Sequence, residues 1–265
     1  MKKEDVGRYW DENAENWTIL SRLGYDRCRD LINSPAFFNI LPPISGLKGL
    51  DVGCGEGFNT RIAVKKGALM YGVDISKVFI SHALETEKKE PLGITYQVAD
   101  ASNLPFPSNE FDFTIATMSM MDIPNTEKAL KEINRVLKSN GFFQFSITHP
   151  CFSNPENEWI RDETGKKKGY VVKNYFQITK GEMTEWIFGA APKELTMEMK
   201  KFQIPLFRRI LSDWLNLLIE SGFMLERFCE PHINEDLLKK YPEEYDSFIV
   251  PFFLIIRCRK KGHNK

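Results

Sequence analysis

The chain has 265 residues, 42% of them hydrophobic and 27% charged, with 36 basic and 36 acidic side chains. A chain of this size and composition forms one globular domain with an elaboration, or two small domains. The balanced charge argues against a nucleic-acid-binding protein, which usually carries a basic excess. The longest apolar stretch, 248–256, is too short to span a bilayer, and the charged start leads into no apolar signal segment. We therefore expect a cytoplasmic protein that binds neither nucleic acid nor a membrane; the oligomeric state is left open.

From residue 46 to about residue 150, strand-like and helix-like segments alternate. The helix at 126–138 gives the clearest signal, because Leu130, Ile133 and Leu137 recur with other apolar residues on one face. The alternation predicts βαβ units and a parallel sheet, whose ligands bind at the carboxyl ends of the strands. Strands are predicted at 49–52, 69–73, 95–98, 111–117 and 142–147, and the other helices at 58–66 and 76–89.

Two segments depart from this alternation. Residues 1–45 are predicted to be helical and contain several aromatic residues among charged ones. Residues 150–205 hold polar turns and strand-like pieces, which predict an inserted β-rich cap rather than an independent domain. The strand-like pieces of the cap lie at 170–176 and 194–202, and the chain continues with a predicted helix at 212–221 and two predicted strands at 223–229 and 248–257.

The five cysteines lie far apart and form no C-x-x-C pair. An odd number without paired spacing predicts neither a disulfide framework nor a zinc site. We expect no metal in this protein.

A glycine-rich turn lies between the first predicted strand and the helix that follows it. Asp51 is followed by Gly53, Gly55 and Gly57 at alternate positions. Glycines allow the backbone to approach a ligand closely and to adopt conformations closed to other residues, and the helix behind them presents free N–H groups. The turn is therefore predicted to bind a ligand.

The spacing of the glycines narrows the choice of ligand. A nicotinamide or flavin dinucleotide requires G-x-G-x-x-G, but the sixth position is Phe58 when counted from Gly53 and Thr60 when counted from Gly55. No Gly-Lys-Ser/Thr follows, which also argues against a nucleotide-binding Walker loop. A ligand without a pyrophosphate fits better.

Two carboxylates follow neighbouring strands. Asp74 ends the second strand, about 20 residues after the turn, where an acidic side chain can accept hydrogen bonds from ribose hydroxyls. Asp100 and Ala101 follow the third strand, where a carboxylate can accept a hydrogen bond from an adenine amino group. Together with the turn they predict a site for an adenosine.

These features resemble the class I S-adenosylmethionine-dependent methyltransferases. The resemblance lies in the turn at 51–57, in Asp74 and in Asp100, and the helix end at 135–141 is similar to that of the type-11, small-molecule branch. It implies a Rossmann-like α/β fold with a seven-stranded, mostly parallel sheet and helices on both faces. It also implies S-adenosylmethionine as the cofactor, a methyltransferase domain over 46–265 with 150–205 as its substrate cap, and a helical lid over 1–45.

The resemblance implies roles for individual residues of the turn and of the second strand. Gly53 and Gly55 pass close to the methionine part of the cofactor, and Asp51 fixes the turn or reaches the cofactor's ammonium group through water. Asp74 binds the ribose hydroxyls, and Ile75 packs against adenine. The alternative for the carboxylates is a structural or solvated role.

Further roles follow for residues on the third and fourth strands and in the N-terminal segment. Asp100 and the backbone N–H of Ala101 read the adenine edge, and Met118 lies beside the methionine moiety. Tyr9 and Trp17 either meet the sulfonium by cation–π contact or simply pack onto the sheet.

Three features bear on the methyl acceptor. The stretch after the fourth strand, 118–124, lacks the Asn/Asp-Pro-Pro-aromatic run of amino-directed nucleic-acid methyltransferases. His149 ends the fifth strand, where it is either a general base for an attacking hydroxyl or amine or a structural residue. Arg208 and Arg209 precede the helix at 212–221 and are either solvated or in contact with an acidic substrate.

The predicted function is methyl transfer from S-adenosylmethionine to a small, fairly apolar molecule, by proximity, orientation and exclusion of water. Two alternatives remain open. One is a protein that binds S-adenosylmethionine or S-adenosylhomocysteine without catalysis. The other is an NAD-type oxidoreductase, which the failed dinucleotide pattern disfavours.

Overall fold

The computed structural model describes residues 1–262. No helix in this part of the chain is both long enough and apolar enough to cross a membrane. The helices are α1 (Lys3–Arg22), α2 (Ser34–Ile40), α3 (Phe58–Lys65), α4 (Lys77–Lys89), α5 (Thr126–Val136), α6 (Lys193–Thr196), α7 (Leu211–Glu220) and α8 (Glu235–Lys240). The strands are β1 (Lys48–Val52), β2 (Leu69–Asp74), β3 (Thr95–Val98), β4 (Phe111–Thr117), β5 (Leu137–Thr148), β6 (Glu158–Arg161), β7 (Lys167–Val171), β8 (Glu182–Trp186), β9 (Phe202–Leu206), β10 (Phe223–Cys229) and β11 (Phe253–Lys260).

A seven-stranded sheet forms the centre of the fold, in the order β10-β11-β5-β4-β1-β2-β3. Neighbours from β5 to β3 are parallel, and only β11 runs antiparallel to the strands beside it. The predicted Rossmann-like α/β fold is therefore confirmed. The order reverses at β1 and β4, so the loops after these two strands diverge and leave a crevice at their carboxyl ends.

The core lies on both faces of this sheet. The predicted apolar stripe of α5 is confirmed, since Leu130, Ile133 and Val136 are fully buried against the sheet. The side chain of Asn125 accepts a hydrogen bond from the N–H of Lys128 at 3.2 Å and so caps the start of the helix. Strong amphipathicity and a cap explain why this helix could be predicted from the sequence.

The end of α5 differs from the prediction. The helix stops at Val136 rather than at residue 138, and the extended chain of β5 begins at Leu137. The turn at Asn140 and Gly141 lies inside this strand, with Asn140 at φ +63°, and the pairing with β4 shifts register between Phe111 and Phe113. A Cβ on Gly141 would lie 2.9 Å from the carbonyl oxygen of Asp112, so only glycine allows this close approach.

The segment between β5 and α7 contains two hairpins, β6–β7 and β8–β9. The strand predicted at 170–176 is wrong in position, since β7 ends at Val171. The strand predicted at 194–202 is also wrong: the short helix α6 begins directly after Pro192, and β9 starts only at Phe202. The last strand likewise begins at Phe253 rather than at 248, because helical turns over Pro242–Phe248 and then Pro251 precede it.

Candidate active site

The glycine turn joins β1 to α3 at the crevice of the sheet. Gly53, Gly55 and Gly57 all have left-handed backbone angles, with φ of +73°, +54° and +89°. A Cβ on Gly53 would lie 2.3 Å from the Cβ of Ser119, whereas a Cβ on Gly55 would have no atom within 4 Å. The backbone is therefore pressed against the loop after β4 on one side and open at Gly55, as a cradle for a ligand must be.

Asp51 stabilises this turn from below. Its side chain is fully buried, and one carboxylate oxygen, Oδ2, accepts a hydrogen bond from the hydroxyl of Thr60 at 2.6 Å. The other oxygen, Oδ1, is buried without a partner among residues 1–262. Burial raises the pKa of Asp51 to about 7, and the nearby charge of Asp74 adds to the rise. The hydrogen bond from Thr60 acts in the opposite direction.

The raised pKa of Asp51 predicts an unusual pH dependence of stability. An unfolded aspartate has a pKa near 4, so the folded state binds the extra proton between about pH 4 and pH 7, and the free energy of unfolding falls as the pH rises through this range. We expect the free energy of unfolding of Asp51→Asn to fall less over this range, and to exceed that of the wild type by about 1–3 kcal/mol at about pH 8. Thermal melts of the ligand-free protein at pH 5 and pH 8 measure the difference.

Asp112→Asn is the matched control, with the opposite sign. Despite partial burial, hydrogen bonds from Lys138 and from the N–H of Lys48 hold the pKa of Asp112 below its usual range, so its ionised form stabilises the fold. This variant should be less stable than the wild type at neutral pH and should approach it as the pH falls through the acid range. Parallel pH profiles for Asp51→Asn and the wild type would refute the assignment to Asp51.

Asp74 lies at the carboxyl end of β2 and faces the turn. Its Oδ2 accepts a hydrogen bond from the N–H of Gly55 at 2.8 Å, and its Oδ1 accepts one from the N–H of Ser76 at 2.9 Å. Burial raises the pKa of Asp74 to about 6, although these two hydrogen bonds act in the opposite direction. The carboxylate is thus ionised near neutral pH and tied to the turn, as the prediction requires.

Helix α1 lies directly over the end of β2. A Cβ on Gly7 would lie 3.3 Å from the Cγ1 of Ile75, so the predicted adenine neighbour touches the helix. The carboxylate of Asp11 accepts hydrogen bonds from the hydroxyl of Ser76 at 2.8 Å and from the N–H of Val78 at 3.2 Å. The N-terminal segment is therefore anchored at the edge where the adenosine is predicted to bind.

Asp100 is held by the residues next to it and by α1. It accepts hydrogen bonds from the N–H and the hydroxyl of Ser102, both at 2.8 Å, and the ammonium of Lys3 lies 3.1 Å away. Although partial burial acts in the opposite direction, these contacts hold the pKa of Asp100 below its usual range. The side chain of Ala101 packs against the main core.

Met118 has a strained backbone at the end of β4. Its φ is +55°, a left-handed value that is unfavourable for a side chain of this size, and its N–H donates to the carbonyl oxygen of Ser146 at 3.0 Å. The strain places the loop after β4 against the glycine turn, where the hydroxyl of Ser119 donates to the carbonyl oxygen of Val52 at 2.7 Å. This is the position predicted for a residue beside the methionine moiety.

The two aromatic candidates of α1 have other neighbours. Trp17 packs in an aromatic cluster with Trp186, Phe188 and Phe202, at ring-centroid distances of 5.4, 5.0 and 4.8 Å. The guanidinium of Arg8 lies over the ring of Tyr9. Packing between α1 and the hairpin β8–β9 thus accounts for Trp17, and its contact with a sulfonium stays a prediction.

His149 lies at the predicted edge of the sheet but is fully engaged. It is 3% exposed, its Nε2 lies 2.8 Å from a carboxylate oxygen of Glu230, and its Nδ1 accepts a hydrogen bond from the N–H of Cys151 at 3.2 Å. Nδ1 is thus an acceptor, which leaves the proton on Nε2. A role as general base requires Nδ1 to release the N–H of Cys151 and stays a prediction.

A cavity of about 90 Å³ lies at the carboxyl ends of β4 and β5. Asp122 lines it, is 8% exposed, and makes no hydrogen bond through its carboxylate within the described part of the chain. Burial raises the pKa of Asp122 well above its usual range, and the charge of Asp74 adds to the rise, so the two acids lie near each other. The other lining residues are Met121, Thr148, Pro150, Ser153, Leu206, Phe207, Arg208, Arg209 and Trp214.

A larger cavity of about 700 Å³ lies behind the turn, between α1, α2 and α3. Glu56 and Phe58 line it, but none of the residues predicted to bind the cofactor does. We therefore place the active site at the crevice of the sheet, where the residues predicted to bind the cofactor converge, and not in this larger cavity.

Sequence reasoning missed three residues of the site. Lys3 and Asp11 reach the site from α1. Their partners, Asp100 and Ser76, lie 97 and 65 positions further along the chain, so no local pattern connects them. Asp122 follows β4 in a methionine-rich stretch, where the sequence pattern predicts that a single acidic residue is a solvated loop residue. Its position after a strand that ends at the crevice was the one available signal.

Comparisons with known proteins agree with this arrangement. Residues 50–145 match a family described as a methyltransferase domain. The fold is similar to that of an S-adenosylmethionine-dependent methyltransferase from Mesorhizobium loti, at 25% identity and a TM-score of 0.69, over 85% of this chain and 96% of that one.

Two curated enzymes are similar over shorter stretches. A ubiquinone biosynthesis O-methyltransferase from Coxiella burnetii is 28% identical over 57% of this chain and 64% of its own. A sterol 24-C-methyltransferase from Gibberella zeae is 38% identical over 51% of this chain and 37% of its own. With the fold, the buried acids and the glycine cradle, these findings show that the chain belongs to the class I S-adenosylmethionine-dependent methyltransferases of the type-11 kind and uses S-adenosylmethionine as its cofactor.

Proposed function

We propose that the protein transfers the methyl group of S-adenosylmethionine to a small-molecule acceptor. The observation that carries this proposal is the cavity of about 90 Å³ at the ends of β4 and β5, whose lining residues Met121 and Asp122 lie in the same loop as Met118. A volume of this size is that of about three water molecules in the liquid, so a small group of an acceptor can enter it.

The residues predicted to hold the cofactor offer a contact for each part of S-adenosylmethionine. The Gly53–Gly57 cradle is open at Gly55, Asp51 offers a buried oxygen without a partner, and Asp74 and Asp100 are ionised acceptors at the ends of β2 and β3. A positively charged ligand with ribose hydroxyls and an amino group suits this combination. When bound, S-adenosylmethionine supplies a methyl group activated by its sulfonium.

The walls of the cavity favour an acceptor with apolar surface. Met121, Leu206, Phe207 and Trp214 contribute apolar side chains on several sides. The names of two similar enzymes, one of ubiquinone biosynthesis and one acting on sterols, also refer to small organic molecules. Both observations support a small, partly apolar acceptor over a macromolecular one.

We propose that residues 1–45 and 150–205 act together as lid and cap. The side-chain amide of Asn13 on α1 exchanges two hydrogen bonds with the backbone of Gln203, both at 2.9 Å, and Trp17 packs on Phe202 of β9. Pro150 and Ser153 of the cap line the acceptor cavity, together with Leu206 and Phe207 directly after the cap. The connection would let both segments exclude water from the site together.

A hydroxyl or amine acceptor must lose a proton when it is methylated. We propose that the carboxylate of Asp122 takes this proton, because it lines the cavity and makes no hydrogen bond to the described residues. His149 is the alternative base, and its Nδ1 would first have to release the N–H of Cys151.

A screen of metabolites with S-adenosylmethionine labelled in its methyl group tests the function. We expect label to move to a small molecule, with S-adenosylhomocysteine as the second product. Tight binding of S-adenosylhomocysteine with no transfer to any member of a broad library would favour the non-catalytic alternative. Stabilisation by NAD but not by S-adenosylmethionine would refute the proposal outright.

A further inference from the structure

Two arginines that line the acceptor cavity have unused hydrogen-bond donors. Arg208 is 9% exposed, and its guanidinium donates a single hydrogen bond, to the carbonyl oxygen of Gln177 at 3.0 Å. Arg209 likewise donates one, to the hydroxyl of Thr126 at 3.3 Å. A guanidinium has five N–H donors, and the Nε atoms of both residues are buried without a partner among residues 1–262.

The same two arginines have no carboxylate within salt-bridge distance in the described part of the chain. Glu156 and Glu127 act on them only at longer range, and each already has a hydrogen bond of its own, to Asn174 and to Lys131. Burying a cation without an anionic partner is costly. The pair of positive charges is therefore uncompensated in the protein alone.

Asp122, the acid that lines the cavity, does not neutralise this charge. No ion pair joins it to either arginine within residues 1–262, and burial raises the pKa of Asp122 well above its usual range, which disfavours its ionised form. Burial lowers the pKa of Arg208, but an arginine stays protonated in proteins. The two arginines thus give the lining of the cavity a net positive charge beside its apolar walls.

We propose, building on the function proposed above, that the methyl acceptor is a carboxylic acid whose carboxylate is held by Arg208 and Arg209. The planar fork of a guanidinium matches a carboxylate in geometry and binds it more strongly than a neutral group. A carboxylate fits a cavity of about 90 Å³, and the apolar walls formed by Leu206, Phe207 and Trp214 accommodate the carbon skeleton beside it. Asp122, which lines the same cavity, then faces another part of the acceptor.

Binding of matched acids and amides tests this assignment without relying on turnover. Benzoate, phenylacetate and propanoate are each titrated, beside the corresponding carboxamide, into the full-length protein saturated with S-adenosylhomocysteine, with ligand-observed NMR as the readout. We expect at least one carboxylate to bind about tenfold to a hundredfold more tightly than its amide, the range expected for a hydrogen bond to a charged group.

Three variants assign the binding to the arginines. Arg209→Gln removes one positive charge. At the more buried Arg208, lysine is used so that the charge is kept and only the planar fork is lost, because a neutral residue there could prevent folding. Both should weaken carboxylate binding about tenfold or more. Arg227→Gln, at an exposed position on β10, is the matched control and should leave it unchanged. Retained binding of S-adenosylhomocysteine shows that each variant is folded.

Three outcomes would overturn the proposal: no carboxylate binds, acids and amides bind equally, or both variants bind the acid as the wild type does. Phenyl phosphate is included as a separate arm, and binding of phenyl phosphate without any carboxylate would overturn the assignment to a carboxylic acid. The result is independent of the proposed function, since a protein that never transfers a methyl group can still bind the acid. A methyltransferase with a neutral acceptor would transfer label and fail this test.

Discussion

Replacing Asp74 with alanine should lower the affinity for S-adenosylhomocysteine about a hundredfold or more. Hydrogen bonds to a charged group contribute about 1.5–3 kcal/mol each, so two bonds to the ribose hydroxyls correspond to at least this factor. The carboxylate also accepts the N–H of Gly55 at 2.8 Å, so its removal loosens the cradle itself. Isothermal titration calorimetry near pH 7.5, where an acid with a pKa of about 6 is mostly ionised, measures the loss.

Two further variants make this result specific. Asp74→Asn keeps one acceptor oxygen and should lie between the wild type and the alanine variant. Asp236→Ala, whose side chain is 92% exposed on α8, is the matched control and should bind the ligand as the wild type does. If Asp74→Ala is folded and its affinity for S-adenosylhomocysteine lies within threefold of that of the wild type, the carboxylate does not hold the ribose, and the assignment of the cofactor site is wrong.

The central βαβ part of the fold was predictable because its signals are local. The turn requires glycine at position 53, where a Cβ would collide with Ser119. This requirement is visible in the sequence as a local motif of alternate glycines. The strands are short apolar runs between turns, and α5 has a single buried stripe. Each of these features depends on residues within a few positions of one another.

The hairpins between β5 and α7 were predicted less accurately, because their strands are held by partners far along the chain. Strand β8 is largely exposed, and its pairing with β9 and the contact of both with Trp17 on α1 determine where it lies. Local propensity is a weak guide to such strands, since packing against neighbours decides them. The polar turns were recognisable, but the register of the strands was not.

The acceptor side of the site shows the same limit. His149 was expected at the edge of the sheet, and it lies there, but its partner Glu230 is 81 positions away and invisible to any local pattern. The burial of Asp122 and the unused donors of Arg208 likewise arise only when the loop after β4, the cap and α7 come together. A charged residue in a loop reads as solvated until the tertiary structure encloses it.

The proton acceptor can be identified by comparing Asp122→Asn with His149→Ala. An amide cannot take a proton, so with a hydroxyl or amine acceptor we expect Asp122→Asn to lower kcat by about 10²–10⁴-fold with little change in KM. His149→Ala removes the contact with Glu230 and the support of the turn at Cys151, so we expect a lower melting temperature but less than a tenfold loss of kcat. Initial rates with labelled S-adenosylmethionine and the acceptor found by the screen measure both.

The pH profile separates a base from a residue that only shapes the cavity. Because the acid of Asp122 must ionise before it can accept a proton, and burial raises its pKa, kcat/KM of the wild type should rise with pH through that pKa and then level off. The rise should disappear in Asp122→Asn and persist in His149→Ala. The reverse pattern, a large loss of kcat and of the pH-dependent rise in His149→Ala with Asp122→Asn nearly unaffected, would assign the proton to the histidine. That outcome would also mean that the hydrogen bond from the N–H of Cys151 to Nδ1 of His149 breaks when the acceptor binds.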